Sequence, residues 1–417
     1  LNNFMERTLS QIVPALNPQV DGVGDYALNL AIHLRDSHGV QTRFIVCDPE
    51  WNGPGHIEGF VVRRLRVRNE AGLWSLLAMA KDPQAAVLLH YSHRGYDRLG
   101  VPFWLYRGVK SWLTEHTAKS SPSTRFFSTV FHDLWPSSLK PFKREFYTQL
   151  LQRLLVTRLH RFSKISIANT LRMQQLLDSI EARKTLWLPI PSNVPTIDRA
   201  ESGGARPGGF RVAIFGSPRV RLATVNAHAN LLRTMNSKNQ LASVMLIGKG
   251  LNKSQSGVRE VQVLQTCVSP SGIDVLGEMT PKDVSLSLGR ADLFLSPYPG
   301  ESACKSGALM AAFAAGCPAV LRDGKNAAPL NESEHFIASD DTPRGVQRLE
   351  RTAADGHLHR IANAGRLWYE RYADWKVVAP QYRQALFDGV HRGRPSGEIR
   401  ELPQPLRPAW TSMADAN

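Results

Sequence analysis

Residues 293–321 read LFLSPYPGESACKSGALMAAFAAGCPAVL. A short apolar run at 293–296 has the length of a buried strand, and a small-residue stretch at 308–315 has the composition of a helix lying close on a sheet. Gly316-Cys317-Pro318 stops that helix before a second apolar run at 319–321. Strand, helix and strand in this order make a parallel pair joined by a crossover. Between the first strand and the helix lies a polar loop, 296–307. Ser302 and Ser306 are placed there to cap the helix, and Lys305 adds charge. Free N–H groups and the helix dipole complete an anion site that a diphosphate would fit. The competing reading is a helix whose small residues serve packing alone.

The same alternation extends outward from this unit. Short β-branched runs at 211–215, 243–247 and 273–276 precede it. An earlier series lies at 9–13, 42–47, 86–90, 128–131 and 165–168, with helical stretches at 26–36 and 170–180. Strands alternating with helices predict an α/β protein with parallel sheets covered on both faces, and the pattern occurs twice. Residues 191–209, rich in Pro, Gly, Ser and charge, read as a linker between a first domain at 1–190 and a second at 210–365. A helix is expected across 362–387, and the proline-rich tail at 391–417 is expected to be extended or disordered.

At 417 residues the chain exceeds what one core holds, and 42% hydrophobic with 21% charged residues is an ordinary globular balance. Cys47, Cys267, Cys304 and Cys317 show no CxxC or CxxH spacing, which argues against a zinc site or a disulfide scaffold and for a reducing compartment. The first ten residues lack the order of a secretory signal, and the apolar run at 306–321 is too short to span a bilayer. A cytoplasmic protein is expected. With 51 Lys and Arg against 36 Asp and Glu, the net charge of +15 favours anionic partners: phosphates, lipid headgroups or nucleic acid. Arg63, Arg64, Arg66 and Arg68 form one basic cluster. A second runs from Lys140 to Lys164, where seven Lys and Arg residues accompany one acid, Glu145. Arg153 projects opposite Arg144 and Arg158, so that stretch reads as a solvated helix ahead of a basic membrane face. No helix-turn-helix or aromatic-studded basic strand pair is visible, and no nucleic-acid partner is expected.

Other candidate residues sit where strands run into helices. Gly22 and Gly24, in Asp21-Gly-Val-Gly-Asp25, lie between the first strand and the first helix, where backbone can approach a ligand or merely turn. His132 and Asp133 follow the strand at 128–131 and should emerge at the carboxyl edge of the first sheet, in a ligand-handling or a structural role. Arg219 and Arg221 follow the strand at 211–215, and one of the two is expected to grip a diphosphate with its planar fork. Gly248 marks a similar turn after 243–247. No Asp-x-Asp motif is present, and no cofactor or obligatory metal is expected.

Taken in order, these pieces resemble the retaining glycosyltransferases of family 4, over residues 6–388. Val20-Asp-Gly-Val-Gly-Asp-Tyr26 resembles the family's opening glycine loop, and His132-Asp133 its His-Asp pair beside the transferred sugar. Leu276-Gly277-Glu278, Ala291-Asp-Leu-Phe-Leu-Ser-Pro297 and Ala314-Ala-Gly-Cys-Pro318 resemble its nucleotide-binding run. The resemblance implies the GT-B fold, two Rossmann-like domains facing across a cleft, with an acceptor domain first and a donor domain second. It also implies a C-terminal helix, 366–390, packing back on the first domain. The implied donor is a nucleoside diphosphate sugar, held by Gly22, Gly24, Arg219 or Arg221, Gly248, Glu278, Glu301, Ser302, Lys305, Ser306 and Gly307, with His132 and Asp133 at the reacting sugar. A glycan or lipid-linked acceptor is expected, in glycan or exopolysaccharide assembly, with peripheral contact at an anionic inner membrane face. One departure stands out. The family's two glutamates, eight positions apart, fall on Ala303 and Ala311, with Glu301 near the first but out of register, so a non-catalytic relic that binds a sugar nucleotide or a partner protein stands as the alternative, beside a sugar-nucleotide epimerase.

Overall fold

The computed structural model describes residues 7–19, 22–79, 86–117, 126–135, 144–182, 184–196, 209–250, 255–325, 327–339 and 341–388. Val20 and Asp21, residues 136–143 of the second basic run, 197–208 of the expected linker and the tail at 391–417 lie outside them.

The first half builds one sheet. In chain order it comprises β1 (Thr8–Val13), α1 (Gly22–His38), β2 (Gln41–Val46), β3 (His56–Ile57), β4 (Phe60–Arg64), α2 (Glu70–Ala78), β5 (Ala86–Tyr91), α3 (Phe103–Thr117), β6 (Phe127–Phe131), α4 (Arg144–Phe162), β7 (Ser166–Ala168), α5 (Leu171–Asp178) and β8 (Thr185–Trp187). The strand order is β3-β4-β2-β1-β5-β6-β7-β8, parallel except for the β3–β4 hairpin. Central strands carry near-continuous apolar sequence because helices cover both faces; Ile12 pairs with Ile45 on one side and Leu89 on the other, all buried.

The second half repeats the plan with β9 (Phe210–Phe215), α6 (Pro218–Ala227), α7 (Ala229–Ser237), β10 (Leu241–Ile247), α8 (Gln255–Gln265), β11 (Ile273–Gly277), α9 (Pro281–Arg290), β12 (Leu293–Pro299), α10 (Gly307–Ala314), β13 (Ala319–Asp323), β14 (Ile337–Ala338), α11 (Pro343–Ala354), α12 (His357–Tyr372) and α13 (Trp375–Arg383). This sheet is parallel throughout, in the order β11-β10-β9-β12-β13-β14. The unit read at 293–321 is β12–α10–β13, with Phe294 in register with Ala319. Small residues let α10 sit buried between the sheet and α12, where Phe313 meets Trp368 edge-on at 6.3 Å.

The single helix expected across 362–387 is two. It breaks at Ala373, and the Asp374 carboxylate caps α13 by accepting from the Lys376 amide at 2.8 Å. The break redirects the chain. Whereas α12 packs in the second core, α13 lies against α1 of the first: Tyr382 and Tyr26 share a 2.8 Å hydroxyl hydrogen bond, and Trp375 stacks on His33.

Candidate functional site

The carboxyl ends of both sheets meet at a cavity of about 380 Å³. Its first-domain wall comprises His93 after β5, Asp133 and Trp135 after β6, and Thr170 and Arg172 at the start of α5. Glu301, Ser302 and Lys305 form the opposite wall. They lie on a 3-10 turn, Gly300–Lys305, that links β12 to α10.

Asp133 is the anionic centre. Burial alone would raise its pKa; the His93 imidazole at 3.6 Å, the Lys305 ammonium at 3.6 Å and the Ser92 hydroxyl donating at 3.1 Å together hold the carboxyl well below its usual range. It is a carboxylate at every working pH. His132, directly behind it, is only 7% exposed, and burial pushes its pKa down to about 4 against the pull of Asp133. It is a neutral imidazole. Its Nε2 lies 3.2 Å from Nδ1 of buried His90, and the Tyr26 ring packs edge-on against it at 5.2 Å.

At the cavity, ion pairs join the two walls: Lys305 with Asp133, and Arg172 with Glu301. Ser306 is the N-cap of α10, its hydroxyl accepting from the Leu309 amide at 3.2 Å. Gly307, the first residue of that helix, lies beside Ile190 and Pro191, and the Cys304 carbonyl accepts from the Ile190 amide at 2.9 Å. Ser302 caps no helix and instead faces the cavity.

The expected arginine pair separates. Arg219 is exposed and acts on Tyr298, whose hydroxyl pKa is raised by burial first and by Asp133, with Arg219 opposing. Arg221 is fully buried. Its guanidinium bonds Glu260 at 2.7 and 3.0 Å and donates to the carbonyls of Gly216 and of Lys249. Those contacts consume its donors, so the expectation for Arg221 is corrected: it ties together the ends of β9 and β10 and has no fork to offer a diphosphate. Two positions apart on α6, the side chains point about 200° from each other, one outward and one inward.

The remaining candidates have mixed placements. Gly248 has φ +128° and a Cβ there would stand 2.3 Å from the Gly216 carbonyl oxygen, so it serves close approach of two strand ends. Glu278, exposed, pairs with Lys249 at 3.1 Å. Gly24 is buried where a Cβ would stand 2.2 Å from the Ala15 carbonyl oxygen, while Gly22 is exposed with open space beside it. Sequence reasoning missed Arg172, Tyr298, His93 and His90. Only His93 carried a signal, as part of the polar run after β5. Ala303 and Ala311 are core residues, so neither glutamate position offers a side chain to the cleft. Among the described residues no group of three or more His, Cys, Asp or Glu is arranged to hold a metal ion.

No protein-family model matches the chain, and no curated protein matches it. Solved structures do. Sucrose-phosphate synthase from Thermosynechococcus elongatus superposes with a TM-score of 0.65 at 14% identity, over 91% of this chain and 98% of that one. HepE from Anabaena, solved in complex with UDP-glucose, gives 0.62 at 14% identity over 91% and 99%. A glycosyltransferase from Rickettsia africae gives 0.63 at 13% identity over 94% and 100%. At these identities the likeness is one of fold, and it spans both halves: the chain has the GT-B architecture, two Rossmann-like halves with the cavity between their carboxyl edges.

Proposed function

We propose that the chain is a glycosyltransferase that moves a sugar from a nucleoside diphosphate sugar to a glycan or lipid-linked acceptor, with retention of configuration. One observation carries the reading. The turn Gly300–Lys305, with Lys305 and Ser302 on the cavity and a capped helix behind it, faces an anionic and imidazole-bearing wall across 3.6 Å. In this reading the diphosphate takes Lys305 from Asp133 and lies toward Arg219, while the sugar reaches His132 and Asp133. Negative charge grows on the leaving phosphate as the glycosidic bond breaks, so fixed cations and N–H groups stabilise the transition state more than the ground state. Those cations are proposed to suffice without an obligatory metal. Family 4-like specificity and retention rest on the sequence resemblance, and the donor class gains support from the likeness to HepE with its UDP-glucose.

The acceptor side is proposed to meet an anionic membrane surface. Phe146, Tyr147, Leu150, Leu151 and Leu154 are exposed on the outer side of α4, Leu150 by 74%, together with Arg153, Arg158 and Arg161. The opposite side, with Leu155, Val156 and Leu159, is buried. Exposed apolar residues with interspersed cations suit headgroups and acyl chains together. The fully solvated helix expected from sequence gives way to this reading.

A second reading has its own observation. Glu301, the carboxylate nearest the missing glutamates, is engaged by Arg172, which favours a protein that binds the donor without transferring it. Incubating the protein with sugar nucleotides and candidate glycan or lipid-linked acceptors separates the two. Release of nucleoside diphosphate coupled to glycosylated product is expected; donor binding with no turnover on any acceptor would leave the second reading. Product formed without an acceptor would point to an epimerase, and full activity in EDTA is expected.

A further inference from the structure

We infer that Gln11, buried in β1, sets the tautomer of His132 through His90 and so fixes His132 as a hydrogen-bond acceptor toward a substrate hydroxyl. Gln11 Nε2 donates to the Ala27 carbonyl at 3.3 Å, and a reversed amide would set two oxygens against each other, so Oε1 faces His90. His90 Nε2 lies 2.6 Å from that oxygen. An amide oxygen only accepts, so His90 Nε2 carries the hydrogen.

His90 is fully buried, and burial, with the neighbouring His132, holds its pKa well below the usual histidine value. As a neutral ring with Nε2–H, it has a bare lone pair on Nδ1. That nitrogen stands 3.2 Å from His132 Nε2, which must therefore donate. His132 is neutral too, and its own Nδ1 is left with the lone pair. The charges facing it, Asp133 and Lys305, act in opposite directions on its protonation. Tyr26 packs edge-on against both rings, at 5.9 and 5.2 Å, and holds their planes.

The consequence is chemical. A ring locked with its lone pair on Nδ1 accepts from an O–H and cannot donate to a phosphate or carboxylate. On the proposed reading of the cleft, on which this step rests, its partner is a hydroxyl of the sugar or the acceptor. Gln11 is then a positioning residue, acting through His90 and never touching substrate.

Long-range proton–nitrogen NMR of histidine-labelled protein reads each tautomer without any substrate. The wild type is expected to show both His90 and His132 as Nε2–H at neutral pH. Gln11→Leu removes the acceptor and should move His90 and His132 together toward Nδ1–H. In a transfer assay the same variant should lose on the order of tenfold in kcat with little change in donor KM. Finding either ring as Nδ1–H in the wild type overturns the relay, and that spectrum decides even if Gln11→Leu fails to fold. Unchanged tautomers in a folded Gln11→Leu protein overturn it as well. Correct tautomers in a protein that transfers no sugar uphold the relay and count only against the proposed function.

Discussion

Single side chains divide this molecule's polar groups into those the cleft uses and those the fold consumes. Arg221 is the clearest of the second kind: its ion pair with Glu260 has no exposure on either side, and it also bonds the Gly216 and Lys249 carbonyls. Removing one partner of a buried pair strands the other, which costs about 3–5 kcal/mol. Arg221→Met should therefore lower the denaturation midpoint sharply in urea titration while leaving nucleotide affinity of the folded fraction intact; undiminished stability would refute the structural role. His132 gives a pH prediction. Its folded pKa of about 4 lies below the ordinary 6.5, so the unfolded chain binds the extra proton and stability is full above pH 6.5 and falls toward pH 4. That interval corresponds to roughly 3 kcal/mol from this group alone. Thermal melts across it should slope downward on acidification, and His132→Gln should flatten the slope. The residue scale is also where sequence was least legible. Gln11, His90 and His132 lie far apart in the chain and meet only because β1, β5 and β6 are neighbours. Nothing local to Arg219 or Arg221 says that Glu260 waits for one of them.

Elements were more legible, for a definite reason. Strands buried on both faces announce themselves as apolar runs, and the β12–α10–β13 unit could be read whole because a small-residue helix and a Gly-Cys-Pro stop leave little alternative. The helix break at Ala373 was hidden, since apolar spacing continues through it and only the Asp374 cap marks the restart. The outer side of α4 was hidden too: apolar residues occur all round this helix, and sequence cannot tell which side the sheet covers. On the proposed reading this exposed apolar side is an interaction surface whose arginines select an anionic partner. Leu150→Glu, at a site already in solvent, should change stability by no more than about 0.5 kcal/mol. It should nevertheless abolish flotation with vesicles containing anionic lipid. Flotation unaffected by this substitution, or absent in the wild type at low salt, would remove α4 as a membrane contact.

At the scale of the whole molecule, two sheets of the same construction face one another, and the chain returns to the first through α13 after completing the second. That return fastens the halves, with Trp375 donating to the Ser192 carbonyl at 2.9 Å near the crossing. What the cavity offers is asymmetric: a carboxylate on one wall, with the buried neutral imidazole of His132 behind it, and a cationic turn on the other, joined for now through Lys305 and Asp133. A ligand with a negative diphosphate at one end and hydroxyls at the other matches both walls at once. The direct test is isothermal titration of a panel of nucleoside diphosphates and their sugar conjugates into the wild type and a Ser302→Ala/Lys305→Ala protein. Charge-assisted hydrogen bonds contribute about 1.5–3 kcal/mol each, so the double variant should bind the preferred nucleotide at least tenfold more weakly, while loss of the partly exposed Lys305–Asp133 pair lowers its stability by no more than about 1 kcal/mol. Equal affinity in the two proteins would contradict the placement of the diphosphate on this turn.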